Sequence, residues 1–298
     1  MPNPLAEACY ELALANRIIA HEGVLDGFGH VSMRHPTDPG RYLLARSRSP
    51  ELIEPADIFE FTLDSEPVAA KGVTLYGERV IHGCIYQARP DVNAVCHHHS
   101  PSVLPFCITG IELVPVFHMG AVLGTAAPFW DSRDEFGDTN MLVVKPEEGQ
   151  SLAKALGAHW MILMRRHGAT LVGTTLRELV FRTIYSHANA EIQLRSMLLG
   201  KIGPLSRGEA ERTGPHQLQP RPMARAWEYW TTRLEKSGEM PKSAPRGARK
   251  TQAAKSGTAK SDRGQIARRT GEFRRCGRPD PHTTPMPRGR VAARRRRL

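Results

Sequence analysis

The stretch AVCHHHSPSV, residues 94–103, places three consecutive histidines at the end of an apolar, strand-forming run. On a strand, successive side chains point to opposite faces, so His97 and His99 share a face and His98 points away from them. The rings of His97 and His99 can therefore bind one ion together, or they can be polar rings packed across strands. His98 is expected to support the pair from behind or to lie at the surface.

A metal centre built on this pair needs a third protein ligand. Catalytic zinc usually has three protein ligands and one open position, and neutral imidazole is a common ligand. The segment WMILMRRHGATLVG, residues 160–173, has the pattern of a buried strand, a sharp turn and a second apolar strand. His167 lies at that turn, where a ring can project from the sheet edge, and it is the best candidate for the third ligand.

Strand and helix patterns alternate on both sides of these two segments. Helices are predicted over residues 4–22, 78–89 and 147–157, from the capping box of Thr175 and Glu178 through about Leu199, and over 225–236. Strands are predicted at GHVSMR, at YLLA, around residues 58–63, at 94–99, at 112–124 and in the two runs of 160–173. This alternation without repeats predicts a single layered α/β or α+β domain.

The charge of the chain is unevenly placed. The net charge of its 298 residues is +11, yet residues 241–298 hold 18 Lys and Arg against 3 Asp and Glu, whereas residues 1–240 hold 23 against 27. The basic segment is poor in large hydrophobic residues and cannot offset the entropy of ordering. We expect a folded domain over residues 1–236 and a basic, disordered tail over 237–298. The tail either contacts nucleic acid or anionic lipid non-specifically or is a dispensable extension.

Composition disfavours a membrane protein and a secreted disulfide scaffold. No apolar run approaches the roughly 20 residues that span a bilayer, and the first residues lack the pattern of a secretory signal. The five cysteines are far apart and have no CxxC spacing, so they indicate neither paired disulfides nor a cysteine zinc site. We therefore expect a cytoplasmic protein.

Three segments, in order along the chain, resemble the class II aldolase/adducin family. They are GHVSMR at 29–34, YGERVIHGCIYQARPDVNAVCHHHS at 76–100 and MRRHGATLVGTTLRELVFRTIY at 164–185. The resemblance covers about residues 5–235. It implies a three-layer α/β/α sandwich around a mostly antiparallel central sheet, and a homotetramer with a metal site near the subunit interface.

The same resemblance implies roles for individual residues. His97, His99 and His167 would bind a divalent cation, typically zinc, with manganese or another divalent ion as alternatives. Glu78 occupies the position of the family's acid/base carboxylate, although a glutamate at a helix start is already explained by the helix dipole. His82, four residues further on, either orients Glu78 or simply packs. Adducin-like members, which are structural heads, have lost the metal ligands, so their presence here favours an enzyme over an interaction protein.

The chain departs from the family's sugar-phosphate aldolases at the phosphate-binding groups. Those enzymes use a G-N-x-S turn, a T-x-S-G-like loop and a Ser-Ser pair before the glutamate. Here the turn contains His30 and Ser32, the loop reads RSRS at 46–49, and Tyr76-Gly77 replaces the serine pair. Small phosphate-cradling groups have thus been exchanged for larger ones.

Arg46 and Arg48 of this loop indicate the class of substrate. The guanidinium fork matches the two oxygens of a carboxylate, so the substrate is expected to be a carboxylate rather than a phosphorylated sugar. The alternative is that both arginines lie on a solvated loop.

The combination of FGHVSMRHP, ARSRSPELIEPADI, CHHHSPSVLPF, VFHMGAV and DEFGDTNMLV resembles a decarboxylase branch of the family. Its members act on carboxylated intermediates of aromatic catabolism such as 3,4-dihydroxyphthalate or 2-hydroxy-3-carboxymuconic semialdehyde. The resemblance implies a metal-dependent decarboxylase whose metal ion stabilises an enolate or phenolate.

In that reaction an arginine, with His30 or Ser32, would orient the departing carboxylate. Glu78 or Tyr76 would then protonate the carbon. His118 would assist, or it is a satisfied core histidine. An aldolase or epimerase acting on a non-phosphorylated hydroxy-keto acid would use the same metal and glutamate, and that alternative stays open.

Overall fold

The computed structural model describes residues 3–242, and within them seven strands form one sheet in the order β3-β2-β1-β4-β7-β6-β5. The strands are β1 His30–Arg34, β2 Arg41–Ala45, β3 Ile58–Thr62, β4 Ala94–His98, β5 Phe129–Trp130, β6 Met161–Met164 and β7 Gly168–Gly173. Only β5 and β6 pair in parallel, and every other neighbouring pair is antiparallel. The predicted mostly antiparallel sheet is confirmed.

Helices cover both faces of the sheet. They are α1 Pro4–His21, α2 Arg79–Ala88, α3 Leu104–Thr109, α4 Arg133–Phe136, α5 Pro146–Leu156, α6 Leu176–Leu199, α7 Arg207–Gln217 and α8 Pro220–Ser237. Because strand side chains alternate, Tyr42 and Leu44 pack with α2 and α5 while Leu43 packs on the opposite face with α1 and α6. The predicted three-layer α/β/α sandwich is therefore confirmed.

The segment 112–124 corrects one prediction, because it forms no strand. Val116 N–H donates to the side-chain oxygen of Asn189 at 2.9 Å, and Val114 N–H donates to that of Gln193 at 3.0 Å. These backbone groups are satisfied by α6 rather than by a neighbouring strand, and His118–Leu123 follow as a 3₁₀ helix. The apolar residues of this segment predicted a strand, because the local sequence does not show that side chains of α6 take the place of a partner strand.

The ordered contacts continue a few residues past the predicted domain boundary. Arg17 Nη1 donates to the carbonyl oxygen of Glu239 at 2.8 Å, and Lys242 N–H donates to Glu54 Oε2 at 2.8 Å. The rest of the predicted basic tail, residues 243–298, lies outside the described residues. Within residues 3–242, no helix combines the length and the apolar character required to cross a bilayer.

Candidate active site

Four side chains converge beside the end of the central strand β4. His97 Nε2 lies 3.1 Å from His99 Nε2, and Glu78 lies 3.7 Å from His97 and 3.5 Å from His167. One ligating atom from each residue falls within 4.8 Å of the others. The structure thus brings together the three predicted ligands and the predicted acid/base carboxylate.

Long-range pairing of β4 and β7 creates this convergence. His97 pairs with Thr170 and His98 with Ala169, so the end of β4 adjoins the start of β7 and the turn that carries His167. Gly168 permits the approach, because a Cβ there would lie 2.3 Å from the carbonyl oxygen of His98. Only glycine fits so close to another backbone, and its position fixes where the neighbouring imidazole projects.

Glu78 reaches the site from the opposite direction. It is the N-cap residue of α2, and its side chain does not cap that helix. Its Oε1 instead accepts a hydrogen bond from Val143 N–H at 3.0 Å. The carboxylate is therefore oriented by a backbone amide from a distant loop and directed towards the imidazoles.

Burial sets the protonation states of the cluster. It lowers the pKa of all three imidazoles, that of His97 well below its ordinary value and that of His167 to about 4. Burial also raises the pKa of Glu78 to about 7, although the Val143 amide opposes that rise. Neutral imidazoles make no ion pair with Glu78, so their separations reflect convergence on one point and not salt bridges.

The donor set fits a divalent cation. Thr170 Oγ1 donates to Met164 Sδ at 3.5 Å, so it accepts the proton on His97 Nδ1 at 3.1 Å and leaves a lone pair on Nε2 facing the cluster. Zinc–nitrogen bonds of about 2.0–2.1 Å put tetrahedral ligand atoms about 3.4 Å apart. The 3.1 Å between His97 Nε2 and His99 Nε2 is close to that spacing, and the Glu78 carboxylate lies 3.5–3.7 Å from His167 and His97.

Arg46 and Arg48 share one carboxylate beside the site. Arg46 Nε donates to Asp57 Oδ1 and Arg48 Nη1 to Asp57 Oδ2, each at 2.6 Å. Burial opposes ionisation of Asp57, but the Glu54 amide and the two guanidiniums hold its pKa below the ordinary value. The two arginine side chains remain 39% and 32% exposed. One carboxylate balances one of two positive charges, so the loop keeps a net positive charge and free N–H donors.

Tyr76 links this loop to the histidines. Its hydroxyl donates to the carbonyl oxygen of Arg48 and accepts from the Arg48 N–H at 3.3 Å. Its ring lies 4.6 Å from that of His30, whose ring is 5.2 Å from that of His97. Burial raises the pKa of Tyr76 to about 12. The phenol therefore connects the arginine loop to the His30 ring, which in turn contacts His97.

His30 and Ser32 occupy different positions relative to the site. His30 is 3% exposed and lies beside the cluster, whereas Ser32 is fully buried. Ser32 Oγ is bonded to His82 Nδ1 at 2.6 Å and to the Tyr86 hydroxyl at 2.8 Å. The structure thus places Ser32 behind His30, and it pairs His82 with His30 rather than with Glu78.

His98 and His118 lie outside the cluster. His98 is completely buried, which excludes the surface position that the sequence left open, and burial lowers its pKa to about 3. Its Nδ1 accepts from Ser100 N–H at 3.2 Å, on the face of β4 that α6 covers. His118 begins the 3₁₀ helix as an exposed residue, so it is not a core histidine.

Several residues of the site were not predicted from sequence. Asp57, Thr170, Tyr86 and Val143 act through hydrogen bonds to the predicted residues. One signal was available, since Tyr86 follows His82 by four residues and therefore lies on the same face of α2. Nothing local indicated which strand that face would meet.

Comparisons with known proteins agree with the fold and show the family. A model of the Class II Aldolase and Adducin N-terminal domain matches residues 10–194. Decarboxylase tropJ of Talaromyces stipitatus is 34% identical over 243 residues, covering 74% of this chain and 91% of that protein. The 3,4-dihydroxyphthalate decarboxylase of Arthrobacter keyseri is 28% identical over 199 residues, covering 62% of this chain and 76% of that protein.

A solved structure gives the same architecture. L-fuculose 1-phosphate aldolase from Glaciozyma antarctica PI12 has a TM-score of 0.66 at 23% sequence identity, over 79% of this chain and 91% of that chain. The family model spans more than half of the 298 residues. The chain belongs to the class II aldolase and adducin family.

Proposed function

We propose that this protein is a divalent-metal-dependent carboxy-lyase. Its substrate would be a carboxylated intermediate of aromatic catabolism, of the 3,4-dihydroxyphthalate or 2-hydroxy-3-carboxymuconic semialdehyde type. Support comes from similarity to decarboxylase tropJ and to a 3,4-dihydroxyphthalate decarboxylase. The observation that carries the proposal is the convergence of Glu78 with His97, His99 and His167 within 4.8 Å.

A cation bound by the three histidines would supply positive charge that stabilises the enolate or phenolate oxygen formed when carbon dioxide leaves. Imidazole ligands carry no negative charge and would not reduce the charge of the ion, and burial keeps these rings unprotonated and so able to bind it. Loss of carbon dioxide leaves an electron pair on carbon. A nearby acid must then deliver a proton to that atom.

Glu78 is the preferred acid. Its carboxyl group lies 3.5–3.7 Å from His167 and His97, so it would deliver the proton beside the bound ion, and burial raises its pKa to about 7 in the metal-free site. Tyr76 is less suited to that role, because its hydroxyl is committed to the Arg48 backbone and its pKa is about 12. We assign Tyr76 to shaping the wall of the site.

The Arg46–Arg48 loop would bind the substrate carboxylate. Arg48 uses Nη1 for Asp57 and Arg46 uses Nε, so each guanidinium retains further N–H groups for a second carboxylate. His30 would donate a hydrogen bond from the neighbouring wall. His118, exposed at the start of its 3₁₀ helix, would contact the substrate from outside the cluster.

We further propose zinc as the native ion and a homotetramer as the assembly, in the cytoplasm. Nitrogen-rich donor sets suit zinc, with manganese as an alternative. The exposed apolar side chains of Met141, Leu142 and Val144 flank the Val143 amide that holds Glu78, which fits a subunit contact beside the site. Light scattering should give the mass of four chains, and Leu142→Asp should lower it.

The experiment is carbon dioxide release from 3,4-dihydroxyphthalate by the full-length protein loaded with zinc or manganese. Release that a chelator abolishes and that added metal restores is the expected result. No release from protein shown to contain its metal would contradict the decarboxylase. Product analysis with a non-phosphorylated hydroxy-keto acid would then test the aldolase or epimerase, since the same cluster serves both reactions.

A further inference from the structure

A chain of buried hydrogen bonds runs from the interior of the sandwich to His30, beside the cluster of Glu78 and the three histidines. The Tyr86 hydroxyl lies 2.8 Å from Ser32 Oγ, and Ser32 Oγ lies 2.6 Å from His82 Nδ1. His82 Nε2 in turn lies 2.6 Å from His30 Nδ1. Ser32 and His82 are completely buried, Tyr86 is 1% exposed and His30 is 3% exposed.

The inner end of this chain fixes its direction. Among residues 3–242, Ser32 Oγ is the single hydrogen-bond partner of the Tyr86 hydroxyl, so the phenol must donate to it or leave a buried proton unpaired. Ser32 has then accepted one bond, and the acceptor that remains for its own proton is His82 Nδ1.

Because His82 Nδ1 accepts from the Ser32 hydroxyl, that nitrogen carries no proton and the His82 ring is neutral. A neutral His82 that accepts at Nδ1 carries its proton on Nε2 and donates it to His30 Nδ1. The proton of His30 is therefore on Nε2.

The outer end of the chain opens on the site. Within the described residues, His30 Nε2 has no hydrogen-bond partner, and it is not among the solvent-inaccessible unpartnered atoms. The ring contacts Tyr76 and His97 at centroid distances of 4.6 and 5.2 Å. The free N–H of His30 is thus beside the metal cluster and available to a ligand.

We infer that Tyr86, Ser32 and His82 are positioning residues that hold His30 as the Nε2–H tautomer, so that His30 presents an N–H donor and not a lone pair to a substrate oxygen. The substrate would therefore place a carboxylate or carbonyl oxygen against His30, and this ring would not serve as a base. The contact with substrate rests on the proposed function, whereas the tautomer does not.

The tautomer can be read directly by NMR of the ring nitrogens in the full-length protein labelled with ¹⁵N-histidine. The signals of His30 are identified by their loss in His30→Gln. We expect protonated Nε2 and unprotonated Nδ1 in the wild-type protein, by a ratio of about tenfold or more, because the other tautomer leaves a buried hydroxyl proton unpaired. Protonated Nδ1, or a cationic ring at neutral pH, would overturn the inference.

Ser32→Ala interrupts the chain and should leave His30 as a mixture of both tautomers. Ser32→Thr keeps the hydroxyl and should restore the wild-type ratio. Tyr42→Phe is the matched control, since it removes a neighbouring buried hydroxyl that bonds to Ser65 and lies outside the chain. An unchanged tautomer ratio in Ser32→Ala, or an equal change in Tyr42→Phe, would refute the inference that Tyr86, Ser32 and His82 set the tautomer of His30.

Kinetics test the contact with substrate separately. An equal mixture of tautomers halves the productive form, so Ser32→Ala should lower kcat/KM for carbon dioxide release by about twofold. A changed tautomer with unchanged kcat/KM would overturn the substrate contact. If His30 is protonated on Nε2 but the protein releases no carbon dioxide, the inference about the tautomer is supported and the proposed function is contradicted.

Discussion

Glu78 shows how one side chain acquires its chemistry from burial and a single amide. In the metal-free protein, burial raises its pKa to about 7, and the neutral imidazoles beside it supply no positive charge to offset that rise. The Val143 N–H keeps one carboxylate oxygen in place. The roles of ligand and acid can therefore be separated by substitution.

Glu78→Gln should keep the metal and lose turnover. The glutamine oxygen can still accept from Val143 N–H, and the three histidines remain as ligands. Loss of the transferable proton should lower kcat by about a hundredfold or more. Metal content by mass spectrometry and carbon dioxide release measure the two effects. A metal-free Glu78→Gln protein would contradict this separation of roles.

His99→Ala should lose metal and activity together. Its Nε2 lies 3.1 Å from that of His97, and removal leaves two imidazoles, fewer than a stable catalytic site uses. Metal content should fall to roughly a tenth or less at equal free metal. His216→Ala is the control, because it removes an exposed histidine from α7. Retained metal in His99→Ala would exclude this ligand set.

At the scale of elements, the pair formed by β4 and β7 is the frame of the site. Because His97 pairs with Thr170, the end of β4, with His97 and His99, lies next to the turn before β7 that carries His167. Helix α2 adds Glu78 from one end and His82 with Tyr86 from its inner face. The site is therefore an intersection of one strand pair and one helix.

Gly168→Ala should damage the fold and the metal site together. Its Cβ would lie 2.3 Å from the His98 carbonyl oxygen and 3.0 Å from His99 Cδ2, so the two strands must separate. We expect a loss of about 1–3 kcal/mol in unfolding free energy, together with weaker metal binding. Gly203→Ala, with nothing within 4 Å of its Cβ, should change neither. Chemical denaturation measures the unfolding free energy and titration measures metal binding. A Gly168→Ala protein with wild-type stability and metal binding would refute this explanation of how closely the two strands approach.

At the scale of the whole molecule, buried neutral histidines make the metal-free protein sensitive to acid. Burial lowers the pKa of both His82 and His98 to about 3, whereas both titrate near 6.5 when unfolded. Their contribution to stability is therefore complete above about pH 6.5 and is lost as pH falls towards 3. Glu78 acts in the opposite sense, since its raised pKa makes stability fall as pH rises from about 4.5 to about 7.

Each of the two histidines should lower the unfolding free energy by about 1.4 kcal/mol per pH unit below pH 6.5, which outweighs the single opposing carboxylate. Urea unfolding of chelator-treated protein between pH 7 and 5 measures the slope. His98→Asn removes one titrating group and should reduce this slope by about 1.4 kcal/mol per pH unit. The asparagine side chain can still accept from Ser100 N–H, so the fold should be kept. A flat profile would contradict burial of these rings as neutral groups.

Sequence predicted most of the local features whose signal was periodic. The strand patterns at GHVSMR and YLLA correspond to observed strands, and Thr175 caps α6 as predicted, although the Glu178 side chain bonds Thr174 and Arg182 and does not complete the capping box. The H-x-H pair spans the end of β4, with His99 directly after the strand. Prediction did not succeed over 112–124, where α6 side chains replace a partner strand. Short helices such as α3 and α4, and α7 with Pro215 inside it, carried no clear periodic signal.

By itself, the sequence determined the alternation of elements, the shared face of His97 and His99, and the family. Tertiary structure alone decided that His82 bonds to His30, that Ser32 is buried behind it, and that Asp57 holds both arginines. The reason is physical. Periodicity fixes which side chains share a face of one element, whereas strand register and helix docking, set by packing between residues far apart in the chain, fix which faces meet.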